Sequence, residues 1–283
     1  MKAVIIYIIF FSILHVSSFA QQFAVKNPYE VFIGGIMKAN DVNGLHQLLN
    51  VPMNPITISY SLPLKSETII PSYDNMLRAI QQKLQENNVL KPNYQFSFTL
   101  KQIDSYEQLA LFFGEEIDLS DLFKITSPNP IHKTVAVLDI SQSYFSIAMD
   151  MPEEELSNSP IVQEQLSELI YVGSIEFGRR SILIVESDLN YQDVKVALNE
   201  ILNKSTTKKG DISEKSKSIM ASSIIRGLIL NPLANENITP DNPLEYLLDY
   251  INSDISPNDF WVPIFFTAAW LKDNSVFVNK FTN

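Results

Sequence analysis

The side chains able to do acid–base or metal chemistry are few, and their spacing does not suit it. The 283 residues hold three histidines, His15, His46 and His132, and no cysteine. No His-x-x-x-His pair and no clustered aspartate motif occurs, so zinc and calcium sites have little support. The eight glycines form neither a Gly-x-Ser-x-Gly turn nor a phosphate-binding loop. The cluster "GEEIDLSD" (Gly114 to Asp121) supplies neighbouring carboxylates, the inventory of a glycoside hydrolase, but a solvated helix-and-loop face has the same composition. The lone histidines read as surface or satisfied core residues. No enzymatic activity, metal or cofactor is expected.

The leading "MKAVIIYIIFFSILHVSSFAQQ" has one lysine, an unbroken apolar stretch, and small residues at Ser18 and Ala20. That order is a secretory signal peptide, residues 1–20, cleaved after Ala20. It implies export through the general secretory pathway to the periplasm or the extracellular space. The apolar stretch is short for a membrane span, no Lys/Arg cluster follows it, and no later segment is long and apolar enough to cross as a helix. Without cysteine there are no disulfides. A formal net charge of −11 makes nucleic acid and anionic lipid poor partners.

The elements that would position any site read as long strands with helices between them. Strand-like runs are Ile56 to Leu62, Tyr94 to Leu100, Lys133 to Met151, Leu169 to Ser187, Ile219 to Leu230 and Trp261 to Leu271. "LIYVGSIEFGRRSILIVES" (Leu169 to Ser187) far exceeds the usual five or six residues of a strand, yet carries Gly178, Arg179 and Arg180 at its midpoint. "YDNMLRAIQQKLQENN" places Met76, Leu77, Ile80 and Leu84 at helical spacing, with Ser72 or Asp74 as cap. "PLEYLLDYINS" puts Leu244, Leu247, Leu248 and Ile251 on one helical face. Strands and helices are interspersed without regular alternation, which predicts an α+β fold around a few long antiparallel strands.

Two segments fit both periods. In "SYEQLALFFGEEIDL", Leu109, Leu111, Phe113, Ile117 and Leu119 share one face of an extended chain, interrupted by Glu115. In "YQDVKVALNEILNK", Val194, Ala197, Leu198, Ile201 and Leu202 make a helical stripe. Extended, the same stretch sets Val194, Val196, Leu198 and Leu202 against Lys195, Asn199 and Asn203. Ordinary surface helices and segments that switch from helix to strand are both compatible with these patterns. The polar "KSTTKKGDISEKSKS" (Lys204 to Ser218) after the second segment reads as a loop.

Taken in order, "NPYEVFIGGIMKAND", "LIYVGSIEFGRRSILIVES", "DVKVALNEIL" and "VPIFFTAAWLKDNSV" resemble the cholesterol-dependent (thiol-activated) cytolysins, with Gly178–Arg179 and "LKDN" (Leu271 to Asn274) in register. The resemblance runs from about Asn27 to the last residue. It implies a membrane-attack-complex/perforin–cholesterol-dependent-cytolysin-like core, a long bent antiparallel sheet flanked by two helix clusters. On oligomerisation those clusters unfurl into two hairpins of a transmembrane β-barrel. The first cluster falls on about Ser105 to Asn129 and the second on about Gln192 to Lys217, which include the two segments of double period. Residues 21–283 then form one pore-forming core. Its scaffold part (about 21–92, 130–178 and 260–283) interleaves with a hairpin-bearing part (about 93–129 and 179–259).

By the same resemblance, Leu109, Leu111, Phe113, Ile117 and Leu119 belong to the first membrane-inserting strand, and Val194, Val196, Leu198 and Leu202 to the second. Gly178 and Arg179 sit where the scaffold passes into the hairpin-bearing part and act as a hinge; a bulge glycine flanked by surface arginines is the alternative. Tyr94 lies where the family has a tyrosine that stacks on the next subunit. Lys204 to Glu245 contains no Phe, Tyr or Trp to receive it, and Ile224 or a neighbour stands there instead. The family's edge-freeing Gly-Gly pair is replaced near Leu230–Asn231, with Gly227 close by. The family's cholesterol-reading C-terminal domain is not matched, so cholesterol is not expected to be bound directly. The expected partners are a lipid bilayer after assembly and further subunits, in a homo-oligomer or with a longer, membrane-recognising paralogue. A secreted, non-lytic binding module with the same core is the competing reading.

Overall fold

In the computed structural model, residues 21–26, 29–42, 44, 46–89, 95–109, 112, 123–152, 154–207, 210–230, 242–253 and 262–279 are described. The expected signal peptide, Tyr94, Leu111, Phe113, Glu115, Ile117, Leu119 and Asn231 lie outside them.

The apolar run 169–187 forms a single strand, β7 (Leu169–Ser187), paired along most of its length with β6 (Thr134–Met149). Both are nearly continuous apolar runs because both faces of the sheet are covered, so no period-2 alternation is needed. The remaining strands are β1 (Phe23–Ala24), β2 (Ile36–Lys38), β3 (Ile56–Tyr60), β4 (Glu67–Ile69), β5 (Gln95–Ile103), β8 (Ile224–Leu230) and β9 (Pro263–Trp270). Among the described residues these nine make one sheet with only antiparallel pairings: β1-β9-β7-β6-β3-β4, with β2 and β8 also on β7 and β5 also on β6.

The neighbours of the central pair change at its midpoint. β7 pairs β9 from Ile170 to Phe177 and β8 from Arg180 to Glu186. β6 pairs β5 from Val135 to Ser143 and β3 from Ile147 to Met149. At the change-over the β6–β7 register slips between Ser143 and Phe145, opposite Gly178 and Phe177. Such a bulge bends its strand and increases the twist.

Helix α1 (Tyr73–Glu86) starts where Ser72 Oγ accepts from the Asn75 amide at 3.1 Å, and it buries Met76, Ile80 and Leu84 against the lower half of the sheet. A short α2 (Pro160–Glu164) precedes β7. The upper half carries α3 (Tyr191–Thr207), α4 (Glu214–Ala221) and α5 (Pro243–Asn252). Asn242 caps α5, with Pro243 as its first residue.

Two expectations are corrected. The strand expected from Ile219 begins at Ile224, and the loop expected over Lys204 to Ser218 is helical at both ends. Ser213 Oγ accepts from the Ser216 amide and starts α4, whose Ile219 and Met220 are buried as a helical face.

Candidate functional site

Above the bulge, β5, β6, β7 and β8 form a four-stranded sheet with a cover on each face. One face packs Val135, Val137, Ile182 and Ile184 against Tyr106, Leu109, Phe112, Phe123 and Ile125, with a 3₁₀ turn at Tyr106–Leu109. The other packs Ala136, Leu138, Ile140, Leu183 and Val185 against α3, α4 and Leu247 of α5. Each cover is the connection between two adjacent antiparallel strands: the first joins β5 to β6, and α3 with α4 joins β7 to β8, while α5, which packs on them, follows β8.

Leu109 is fully buried in the first cover. Phe112, which has the opposite parity in an extended chain, is buried there as well. In α3, Val194, Leu198 and Leu202 are buried with Ala197 and Ile201, so the helical stripe is the pattern this state uses. Val196 is split from its extended-face companions and is 53% exposed. Burying four large apolar side chains of α3 stabilises the cover by roughly 6–12 kcal/mol, so it does not leave the sheet unless that face is reburied elsewhere.

The arginines at the midpoint are not on the surface, which corrects that part of the bulge reading. Arg179 and Arg180 are 4% and 2% exposed. Arg180 donates from Nε and Nη2 to the two oxygens of Asp139, at 3.0 and 2.8 Å, and from Nη2 to the Phe112 carbonyl at 3.2 Å. Arg179 Nη1 donates to the carbonyls of Tyr250 at 2.8 Å and Ser253 at 3.1 Å, at the C-terminal end of α5. The extra residue of the bulge lies on β6, and Gly178 faces it.

A second buried charge sits six residues along the same face as Arg180. Glu186 accepts from Tyr106 Oη at 2.5 Å, the amides of Ile131 and His132 at 2.5 and 2.8 Å, and Arg226 Nη1 at 3.4 Å. Burial alone would push this carboxyl up, but the bonds from Tyr106, the two amides and Arg226 hold it below its ordinary value. It therefore fastens both ends of the first cover while ionised. Sequence reading missed Glu186, Asp139 and Tyr106, although a charge inside an apolar run such as "SILIVES" or "AVLDIS" is a readable signal, since a buried charge needs a partner.

His132 Nδ1 lies 2.8 Å from Asp188 Oδ1 on the surface. His46 is fully buried, edge-on to Phe266 at 5.0 Å, with Nε2 within 3.2 Å of the Lys26 amide and 3.1 Å of the Ala24 carbonyl. Burial, helped by the Lys26 charge, pushes its imidazole down to about 4. Between the ordinary histidine pKa and that value the unfolded chain binds a proton that the folded chain refuses, so stability falls as pH falls. The expected loss is about 1.4 kcal/mol at pH of about 5.5, levelling near 3 kcal/mol below about 4. Denaturant unfolding across this range should show that slope, and His46→Asn, which tolerates the φ of 60° there, should flatten it. A slope unchanged by the substitution would contradict this assignment.

Among the described residues no three His, Asp or Glu side chains could hold a metal ion, and no helix is long and apolar enough to cross a membrane. The arrangement is two covers, one on each face of the upper half of one long antiparallel sheet, and that is the membrane-attack-complex/perforin–cholesterol-dependent-cytolysin fold. The thiol-activated cytolysin family model matches residues 20–283, and the chain belongs to that family. Perfringolysin O of Clostridium perfringens (strain 13 / Type A) is 24% identical over 257 residues, covering 81% of this chain and 50% of its own length. Tetanolysin of Clostridium tetani (strain Massachusetts / E88) is 25% identical over 263 residues, covering 81% and 48%. The crystal structure of listeriolysin O superposes with a TM-score of 0.70 at 18% identity, over 91% of this chain and 59% of that one. The chain spans about half the length of the curated relatives it matches.

Proposed function

We propose that this chain is a secreted pore-forming component that oligomerises and builds a transmembrane β-barrel from its two covers. One topological observation carries the reading. Each cover already connects neighbouring strands of an antiparallel ladder, so straightening it prolongs a hairpin whose register begins at Ile103↔Val135 or Glu186↔Ile224. No strand order changes. Crossing a bilayer twice takes roughly 20 residues, at ~9–11 per strand, and both connections are longer than that. β5 and β8 are the edges of the four-stranded unit, and joining such edges between subunits is how a closed barrel removes them. The scaffold and hairpin-bearing parts meet at Gly178, where the sheet neighbours change. Leu109 and the Val194, Val196, Leu198 and Leu202 face would turn toward lipid.

The net charge of −11 gives no electrostatic pull toward anionic membranes, so a longer family member recruits the chain to the target-cell bilayer in this reading. Cosedimentation with vesicles and dye release test it. The chain alone is expected neither to bind nor to permeabilise them, and release is expected with a longer relative present. Strong binding by the isolated chain would sink the two-component part.

A secreted, non-lytic binding module keeps one observation in its favour. Glu200 shares the extended parity of Val194, Val196, Leu198 and Leu202, and a carboxylate facing lipid is costly. In the folded chain Glu200 accepts from Lys204 Nζ at 2.7 Å, the Ser213 amide at 3.0 Å and Ser216 Oγ at 2.5 Å, and Lys204 foremost holds it well below the usual carboxylate range. Absence of release with every longer relative tried, alongside saturable binding to one, would favour this second reading.

A further inference from the structure

We propose that Tyr191, the first residue of α3, gates the free edge of β5, so that the second cover withholds that edge from a second copy of the chain until α3 leaves the sheet. The inference rests on the reading that the covers move and that subunits join edge to edge.

One bond fixes which way the backbone groups of β5 point. The Gly178 amide donates to the Val262 carbonyl at 2.9 Å, away from β6. Ladder bonds of antiparallel strands alternate sides residue by residue. Above Gly178 the odd residues of β7 therefore bond β6, and Leu183 bonds Leu138. Leu138 is thereby turned to β7. Leu100, opposite it on β5, turns its amide and carbonyl outward, as do Phe96, Phe98 and Gln102. Among the described residues no strand pairs β5 on that side.

Tyr191 stands at that edge although α3 starts from β7, two strands away. Its Oη donates to the Leu100 carbonyl at 3.2 Å. Its ring, like Phe96 and Leu100, packs against the buried cluster under α3. A strand added at this edge needs the Leu100 carbonyl as an acceptor, and an acceptor left unpaired there costs free energy. The occupant that fits is β8 of a second copy. β5 and β8 are the outer strands of the four-stranded unit and run antiparallel to each other, so β8 of the next copy continues the alternation beside β5. Departure of α3 then frees the edge and supplies a hairpin in one motion.

A labelled peptide copying Ser223 to Leu230, with a lysine tail for solubility, tests this. Its binding to the full soluble chain is read by fluorescence anisotropy with no membrane present. Tyr191→Phe keeps the ring and loses the donor, and should bind the peptide about 2- to 10-fold more tightly than the unsubstituted chain, the scale of one hydrogen bond. Tyr191→Ala removes the ring as well and should gain more; if it does not fold, Tyr191→Phe decides. Gln102→Pro deletes one outward amide and leaves the β5–β6 ladder intact, as an edge position allows, and should return binding to background in every variant. Equal binding by Tyr191→Phe and the unsubstituted chain, or no binding by any of them, would overturn the proposal. A gain that survives Gln102→Pro would also overturn it, since the peptide would then sit elsewhere. Because the readout needs no pore, a failure of the gate would leave the pore-forming reading standing, and absence of dye release would leave the gate standing.

Discussion

Gly178→Ala is expected to destabilise the chain by more than about 4 kcal/mol, lowering Tm by roughly 10 °C or preventing soluble expression. The backbone of β6 presses onto this glycine. A Cβ at position 178 would stand 1.9 Å from the Gln142 carbonyl oxygen and 2.9 Å from its carbon. Gln142 cannot retreat, because it is paired with Phe96 of β5 on one side and Arg179 of β7 on the other. The close approach, rather than an unusual φ, is what demands a glycine here. Gly173 on the same strand is the control, since its added Cβ would meet nothing nearer than Thr267 Oγ1 at 3.8 Å. Gly173→Ala should stay within about 1 kcal/mol. Thermal melting of the two variants separates the cases. A native Tm for Gly178→Ala would contradict the crowded junction and, with it, the physical basis for a hinge.

Tying α3 to the sheet should reduce dye release to background while leaving the soluble fold intact. The protein has no cysteine of its own, so a pair introduced at Leu198 and Leu183, members of one buried cluster, reports without interference. Oxidised, the second cover cannot straighten. Reduced, it can, and release in the mixture with a longer relative should return to the unmodified level. Equal release in both redox forms would show that α3 stays on the sheet during lysis.

Much of this arrangement was legible in the residues. The run Leu169 to Ser187 reads as one strand and is one, because two covered faces favour an unbroken apolar sequence. Ser72 announces α1, and Pro243 with its preceding Asn242 announces α5. Helix α4 was hidden by its composition. "EKSKSIMA" offers only Ile219 and Met220 as a buried face, so its polar first half reads as loop and the β-branched run that follows draws Ile219 to Ala221 into the strand. The buried partners of the arginines are illegible for a different reason. They lie far along the chain, at Phe112, Asp139, Tyr250 and Ser253, and local periodicity carries no trace of a carbonyl that distant. α3 is legible in both periods, so its sequence alone could not say which face a given state would use.

That double code provides the most direct measurement. Val196 is now exposed and Ala197 fully buried, yet in an extended strand position 196 shares the apolar face of Val194, Leu198 and Leu202 while position 197 lies on the other. Environment-sensitive probes on single cysteines at 196 and 197 should therefore exchange surroundings when vesicles are permeabilised. The probe at 196 should move from water into lipid and become accessible to a lipid-borne quencher. The probe at 197 should move from the protein interior to water and become accessible to an aqueous one. If both probes keep their soluble-state environments while dye is released, the cover has not become a membrane strand, and the pore-forming account of this segment is wrong.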